Sequence, residues 1–420
     1  MGSLVIKSSD TKYIIDKSID TLKNSFKTVT NDDRNIGGWH QFISKKKIGA
    51  VATSQAISCF AYFNKDFIKI QSAINFLKRN QLEDGGFTLS TMGEKSPMVE
   101  STSWSILGIR DKNDKIKKEI STDGAEWLKN NKNDDNGWGP IKGMDSRIYA
   151  SALALWALST IDDGNYQTII NNGIDWIKKA RNTDNCWGEL PNDDRSTPFH
   201  TAFIIFVLMQ CGFSADSDVI SKAINWLNEQ WNTEDMWELY NETTNLVEHY
   251  DIQTMSSQAR ITWNHFATPW VIIALVSCGI INKKVFRGVE WLINSQTEEG
   301  CWKHPNTNEL TLWSIHDALF CIKSFLDHVS NVKNYDSLEL HDDVLILKGN
   351  FTIRKKVKSW INVALSFTKE HWSWGIICLI LLIGGICFSK NMISFESYVI
   401  GVILPILLLI MSWMYEKLYK

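Results

Sequence analysis

The sequence predicts an all-α chain: six helix-pair repeats closed into a ring (an α6–α6 toroid), followed by a C-terminal hairpin of two transmembrane helices. Three observations predict it. Paired aromatics 11 residues apart recur at Phe76 and Phe87, Trp127 and Trp138, Trp176 and Trp187, Trp226 and Trp237, and Trp291 and Trp302. Stretches with helical periodicity alternate between amphipathic and almost wholly apolar. After the last repeat come two charge-free stretches, 372–388 and 398–415.

The repeat is the first element to justify, since a missed repeat misassigns the whole fold. Successive second aromatics lie 51, 49, 50 and 65 residues apart by subtraction, and Gly37-Gly38-Trp39 precedes Phe87 by 48, which makes it a divergent first copy. Each copy opens with an amphipathic helix, as in Ala73-Ile74-Asn75-Phe76-Leu77, with its apolar stripe at helical spacing. It runs into a polar turn, as in Gln81-Leu82-Glu83-Asp84-Gly85-Gly86-Phe87, where Asp, Asn and Gly supply helix ends and left-handed backbone. A second, more apolar helix follows, at 50–61, 99–109, 149–158, 199–211, 267–278 and 315–325. An amphipathic helix needs one covered face and an apolar one needs cover all round. The repeats therefore predict an outer layer around an inner one, over residues 10–328. The turn aromatic is expected to fold back onto its own outer helix and to stack on a neighbour's first aromatic. A closed ring leaves a central depression where the inner helices start, and a ligand site belongs there.

Composition narrows the function. The formal net charge of −3 gives no basic face for nucleic acid. Eight Cys are scattered with no CxxC pair, which fits reduced thiols better than a zinc ribbon or redox motif. No cofactor and no metal site is expected. The N-terminus lacks the apolar run of a secretory signal, and Ile6 stands where a myristoylation signal has Ser or Thr.

Beyond the ring, 329–371 reads as a linker ending in a basic amphipathic helix at 353–368, suited to anionic lipid. The region 372–415 reads as the transmembrane hairpin, with Trp372, Trp374, Trp413 and Tyr415 as interfacial aromatics. Arg354, Lys355, Lys356 and Lys358 precede it, Lys417 and Lys420 follow it, and the loop between spans has only Lys390 as a basic residue. That distribution predicts a multi-pass C-terminus in the lipid bilayer with the N-terminal barrel cytoplasmic.

Polar and aromatic residues near inner-helix starts are the candidate site. Glu100 heads the second inner helix, where the helix dipole favours a carboxylate and a capping role is open to it. Trp104, Tyr149, His200, Trp263, Trp270, Trp313 and His316 occupy comparable places, with His265 ahead of the fifth inner helix. Together they would rim an aromatic cavity with a few polar points, suited to an apolar ligand and to cation–π stabilisation. Residues 238–258 are an insertion in repeat five, expected as a rim loop or lid. The pairs Asp32-Asp33, Asp134-Asp135, Asp162-Asp163 and Asp193-Asp194 lie in polar turns and Asp342-Asp343 in the linker, which suits surface turns better than a metal site.

The strings Gln81…Asp84-Gly85-Gly86-Phe87 and Gln296…Glu299-Gly300-Cys301-Trp302 resemble the QW repeat of the terpenoid cyclase and protein prenyltransferase superfamily, over roughly residues 10–328. The resemblance implies the toroid fold and an isoprenoid-type ligand. It places Glu100 where class II cyclases carry the aspartate that protonates an alkene or epoxide, although Met98 and Ser101 fill the flanking acidic positions. The zinc set of the prenyltransferases is not matched. Asp184-Asn185-Cys186 has the right letters but sits in a repeat turn, as does Cys301. The thioester string of complement-like toroids and the zinc strings of lanthionine cyclases are also missing. Two functions stay open: a membrane-anchored cyclase-like barrel with Glu100 as general acid, or a non-enzymatic, membrane-tethered sensor or effector that engages a protein partner. Glycan binding in an aromatic groove is a third option.

Overall fold

Among the described residues, six outer helices and six inner helices alternate along the chain. The outer set is α1 (Ser8–Ser25), α3 (Ile70–Asn80), α5 (Lys115–Asn130), α7 (Gln167–Lys179), α9 (Asp218–Glu229) and α11 (Lys283–Ser295). The inner set is α2 (Ala50–Tyr62), α4 (Val99–Gly108), α6 (Ile148–Ser159), α8 (Pro198–Gln210), α10 (Ala267–Ser277) and α12 (Leu312–Asn331). This is a computed structural model, and it describes residues 2–29, 35–88, 96–109, 114–161, 164–193, 195–231, 246–251, 256–262, 266–303, 309–331, 338–341 and 344–349. Contacts gather Ser3–Gly349 into one compact unit, and residues 350–420 lie outside the described residues.

The pattern of burial explains the layers. Helix α3 buries Ala73, Ile74, Phe76 and Leu77 and leaves its other face wet, and α7 does the same with Ile170, Gly173, Ile174 and Ile177. Helices α6, α8 and α10 bury nearly every side chain, because each has an outer helix behind it and inner neighbours on both sides. Around the inner layer α2 packs on α4, α4 on α6, α6 on α8, α8 on α10, α10 on α12, and α12 on α2. The ring is closed.

Closure repeats one backbone bond. The first amide of an inner helix lacks an intrahelical acceptor, and here the next repeat supplies one, two residues past its turn aromatic. Val99 N donates to Pro140 O (2.9 Å) and Ile148 N to Glu189 O (3.4 Å). Leu312 N of the last repeat donates to Gln41 O of the first (2.8 Å), so the join between the chain's ends is chemically the same as the joins inside it.

The turn aromatics fold back onto their own outer helices. The indole nitrogens of Trp39, Trp138, Trp187 and Trp302 donate to Leu22 O, Leu128 O, Ile177 O and Leu292 O at 2.7–3.0 Å, satisfying helix-end carbonyls. The link to the neighbour is not the expected ring stack. Trp127 Nε1 donates to Asp84 Oδ2 (3.1 Å) and Trp176 Nε1 to Asp135 Oδ2 (2.8 Å), so each first aromatic ties into the preceding turn by hydrogen bond. Gln81 and Gln296 reach across in the same way, to Ile120 O and Ile14 O. Asp135 thus proves a turn residue, also accepting from Gly137 N and Ser146 Oγ. Asn136 holds the left-handed position of that turn (φ 75°), where other repeats place glycine or asparagine.

A side chain that sequence reasoning passed over fixes the inner helix to the turn. The hydroxyls of Thr53, Thr102, Ser151 and Thr201 accept from the backbone amides of Trp39, Phe87, Trp138 and Trp187 at 2.8–3.2 Å. A hydroxyl 13–15 residues after each of these aromatics, by subtraction, was the available signal.

The all-α expectation needs correcting at the edges. Strand β1 (Gly2–Lys7) forms a three-stranded sheet with β6 (Leu338–His341) and β7 (Val344–Gly349), in the order β1-β7-β6, so part of the expected linker is a hairpin that pairs with the N-terminal strand. Strands β2 (Lys27–Thr28) and β3 (Gly37–Gly38) make one short pairing. The insertion expected as a loop contains the antiparallel hairpin β4 (Leu246–Asp251) and β5 (Ser256–Thr262), with a register shift between His249 and Tyr250. None of these strands interrupts the helix ring. Among the described residues no helix is long and apolar enough to cross a membrane, and the expected amphipathic helix and both transmembrane spans fall outside those residues.

Candidate functional site

Counting from the anchoring hydroxyls gives the register of the hub. Two residues before them lie Glu100, Tyr149 and Phe199. Two residues after lie Gln55, Trp104, Leu153 and Phe203, and Trp270 and His316 join this layer through their contacts and the matching positions of Thr268 and Ser314. Side chains from different inner helices meet here. Trp104 and His316 approach to 4.9 Å between ring centroids and Phe203 and Trp270 to 4.8 Å, both edge to face.

Glu100 occupies the first turn of α4, yet it does not cap the helix. The N-cap is Met98, without a side-chain cap bond, and the Glu100 carboxyl turns to Tyr149, whose hydroxyl donates to Oε1 at 3.4 Å. Tyr149 in turn accepts from Trp104 Nε1 at 3.3 Å. Burial pushes the Glu100 carboxyl up to about 7, against the opposing pull of the Tyr149 hydroxyl. Burial, with the Glu100 charge next, also raises the Tyr149 phenol.

Opposite stands a second polar group built on α12. His316 Nδ1 lies 2.9 Å from Asp317 Oδ1 and Nε2 lies 3.2 Å from the Tyr62 hydroxyl. With Asp317 accepting from Nδ1–H, Nε2 carries the lone pair and Tyr62 donates to it. Burial raises the Asp317 carboxyl, with the His316 and Trp270 side chains pulling the other way. Asp317 was missed. Its signal was a carboxylate in the largely apolar first half of an inner helix, 312–322, beside the named His316.

The remaining candidates are placed as follows. Trp270 is buried among Phe199, Phe203, Phe206 and Trp156. Trp313 is partly exposed and meets Phe42 edge to face at 5.4 Å. His200 is buried, 2.8 Å from Thr197 Oγ1 and 3.0 Å from Glu189 Oε2, so its ring bonds the turn before α8. Trp263 and His265 lie outside the described residues.

Deeper in, the hub is filled. The ring of Trp156 on α6 touches Trp104 on α4, Phe206 on α8, Trp270 on α10 and Phe320 on α12, with centroids 4.9–6.2 Å apart. One ring in contact with four other inner helices closes the hub at that level. Glu100 and Tyr149 lie at the starts of their inner helices, and both are partly exposed. Cavities of about 370 and 470 Å³ lie elsewhere, one beside Asp84, Pro97 and Trp127 and the other beside Lys17, Thr21 and Glu299. Among the described residues no three His, Cys, Asp or Glu gather as a metal site. Burial pushes the thiols of Cys186 and Cys301 up to about 12.

An α/α toroid with an aromatic hub and carboxyl groups at the starts of its inner helices defines a class of protein, and the comparisons place the chain within it. The prenyltransferase α/α-toroid domain model matches residues 4–146, and the squalene–hopene cyclase C-terminal domain model matches 142–245 and 199–312. The chain belongs to the terpenoid cyclase and prenyltransferase superfamily. No curated protein matches it in sequence. Among solved structures it is similar to a variant of the type II terpene cyclase MstE from Scytonema in complex with geranylgeranyl dihydroxybenzoate (TM-score 0.51, 12% identity, covering 76% of this chain and 98% of that one). It is similar to an α-amylase from Clostridium perfringens (TM-score 0.53, 12% identity, 74% and 98%) and to an inactive α-1,6-mannanase variant from Salegentibacter sp. in complex with α-1,6-mannotetrose (TM-score 0.53, 10% identity, 75% and 98%). At such identities the likeness establishes the fold alone.

Proposed function

We propose that the chain is a cyclase-type barrel that takes an apolar, isoprenoid-type ligand at the inner-helix end of its hub, with Glu100 as general acid. One observation carries this. The Glu100 carboxyl is set against Tyr149 in an aromatic mouth and holds its proton up to about pH 7, so at neutral pH a proton is available for transfer. The surrounding rings favour an apolar substrate and any cation formed from it. The charge-free stretches 372–388 and 398–415 support anchoring of the chain in a bilayer, the source of such ligands, with the barrel on the cytoplasmic side. Lipid extracts of cells expressing the wild-type chain and Glu100→Gln test the acid role. A product that disappears in the variant supports it, and identical extracts reject it. Flotation of the full chain, compared with one ending at Asn350, tests the anchor.

A second reading draws on the Trp156 plug and on Met98 and Ser101, which leave Glu100 without a partner carboxyl. In that reading the hub binds its ligand without turnover and the chain is a membrane-tethered sensor or effector, acting on a protein partner or on the bilayer. Deleting 372–415 would then abolish any effect of the chain on membrane permeability, whereas an effect that persists in the deletion rejects this reading.

A further inference from the structure

The Tyr149 hydroxyl has one proton to give and lone pairs with which to receive, and both kinds of bond are in use. It donates to Glu100 Oε1 at 3.4 Å and accepts from Trp104 Nε1 at 3.3 Å. An indole N–H can only donate. Its place on the hydroxyl oxygen therefore turns the single phenolic proton away from Trp104 and towards Glu100. The electrostatics of the phenol agree. Burial and then the Glu100 charge raise it, while the Trp104 N–H pulls it down, as a donor to its oxygen must.

The direction of this chain decides where the acid keeps its proton. A protonated carboxyl has one carbonyl oxygen and one hydroxyl oxygen. While Tyr149 donates to Oε1, Oε1 is the carbonyl oxygen and the proton resides on Oε2. A tyrosine free to turn would accept from the carboxyl instead, and so tie up the proton that an acid has to give. Trp104 keeps its aim by packing. It is 2% exposed, and its ring meets Trp156 of α6 at 5.6 Å and His316 of α12 at 4.9 Å, both edge to face. The elements packed on α4 carry other titratable groups: Cys59 and Tyr62 on α2, the Lys, Glu and Asp side chains of α5, Arg147 at the N-cap of α6, and Lys142 and Asp145 in the adjoining turn. His316 and Asp317 stand across the hub. Besides burial, it is the Tyr149 hydroxyl that moves the Glu100 carboxyl.

We propose that Trp104 is a positioning residue for the Glu100 acid: its indole N–H holds the Tyr149 hydroxyl as a donor to Oε1, which leaves the carboxyl proton on Oε2, clear of the tyrosine and available for transfer. The assignment rests on the acid role proposed above and deepens it by naming the group that aims the proton.

Infrared titration of the full-length chain in nanodiscs tests it without any substrate, with Glu100→Gln to identify the Glu100 carboxyl band. Replacing Trp104 with its benzothienyl analogue keeps the shape of the ring almost unchanged, so the fold is retained, and puts sulfur where the N–H was. The Glu100 midpoint, about 7 in the wild type, should rise by about 0.5–1 pH unit, the worth of one hydrogen bond, because the freed hydroxyl now accepts from the protonated acid. The C=O band should move to higher frequency as Oε1 loses its donor. In a Tyr149→Phe background the same replacement should change neither quantity, a pattern that altered packing alone would not produce. An unchanged midpoint in the analogue, or an equal rise with and without the Tyr149 hydroxyl, overturns the positioning role and leaves Glu100 as the acid. The acid role fails separately, by identical lipid extracts from wild type and Glu100→Gln, and a positioning role for Trp104 falls with it.

Discussion

Replacing Glu100 with Gln changes one protonation equilibrium and little else, so its effect on stability can be worked out in advance. An unfolded glutamate loses its proton near 4.5, whereas burial keeps Glu100 protonated in the folded chain to about 7. Between those values the unfolded state binds fewer protons than the folded one, so wild-type stability falls as the pH rises through that window. The gap corresponds to roughly 3 kcal/mol, and the partial exposure of the residue lowers this to about 2 kcal/mol. Gln is nearly isosteric with the neutral acid and cannot ionise. Glu100→Gln should therefore match the wild type at pH 4.5 and exceed it by about 2 kcal/mol at pH 8. Tyr149 and Asp317, the titratable neighbours in the hub, are present in both proteins and cancel to first order. Denaturant unfolding of the full-length chain in detergent at pH 4.5, 6 and 8 measures the difference. A difference that does not change with pH, or a variant weaker than wild type at pH 8, refutes the buried, proton-holding carboxyl.

Three further substitutions probe the repeat. Ser151→Ala removes the acceptor of the buried Trp138 amide and should cost about 1–3 kcal/mol, read by denaturant midpoint, while Ser151→Thr should restore the bond. Gly86→Ala would place its Cβ 2.4 Å from Pro97 Cβ and 2.7 Å from Trp127 Nε1, so a loss of about 1–3 kcal/mol is expected, with a melting temperature equal to wild type as the contrary result. Trp302→Phe keeps an aromatic ring but leaves Leu292 O without its donor. About 1 kcal/mol should be lost, together with faster amide exchange at the end of α11, which hydrogen-exchange mass spectrometry would detect.

The repeat was legible because its signals are local. An aromatic, a turn and an apolar helix recur at fixed spacing, and each announces itself within a dozen residues. The inner-helix stretches expected at 50–61, 99–109 and 267–278 coincide with α2, α4 and α10 to within a residue or so. The strands were less legible. The β6 and β7 segments were visible only as one apolar run in a linker, and pairing with β1 is a contact across more than 330 residues that no local pattern encodes.

Within the site, the sequence named Glu100, Trp104, Tyr149, Trp270 and His316 from their places near inner-helix starts, and the structure brings these into one hub. It could not separate His200, which heads a helix in the same way but bonds the turn through Thr197 and Glu189. It gave no reason to single out Asp317, whose importance lies in its partner.

The sequence alone determined the number of repeats, the division into amphipathic and apolar helices and the superfamily, because all three follow from periodicity and from residues close together in the chain. Tertiary structure decided that α12 meets α2, that Trp156 fills the hub and that Glu100 faces Tyr149 rather than its own helix end. Those outcomes depend on where side chains from distant repeats converge and on how much water is left around them, and burial and long-range pairing exist only once the ring has closed.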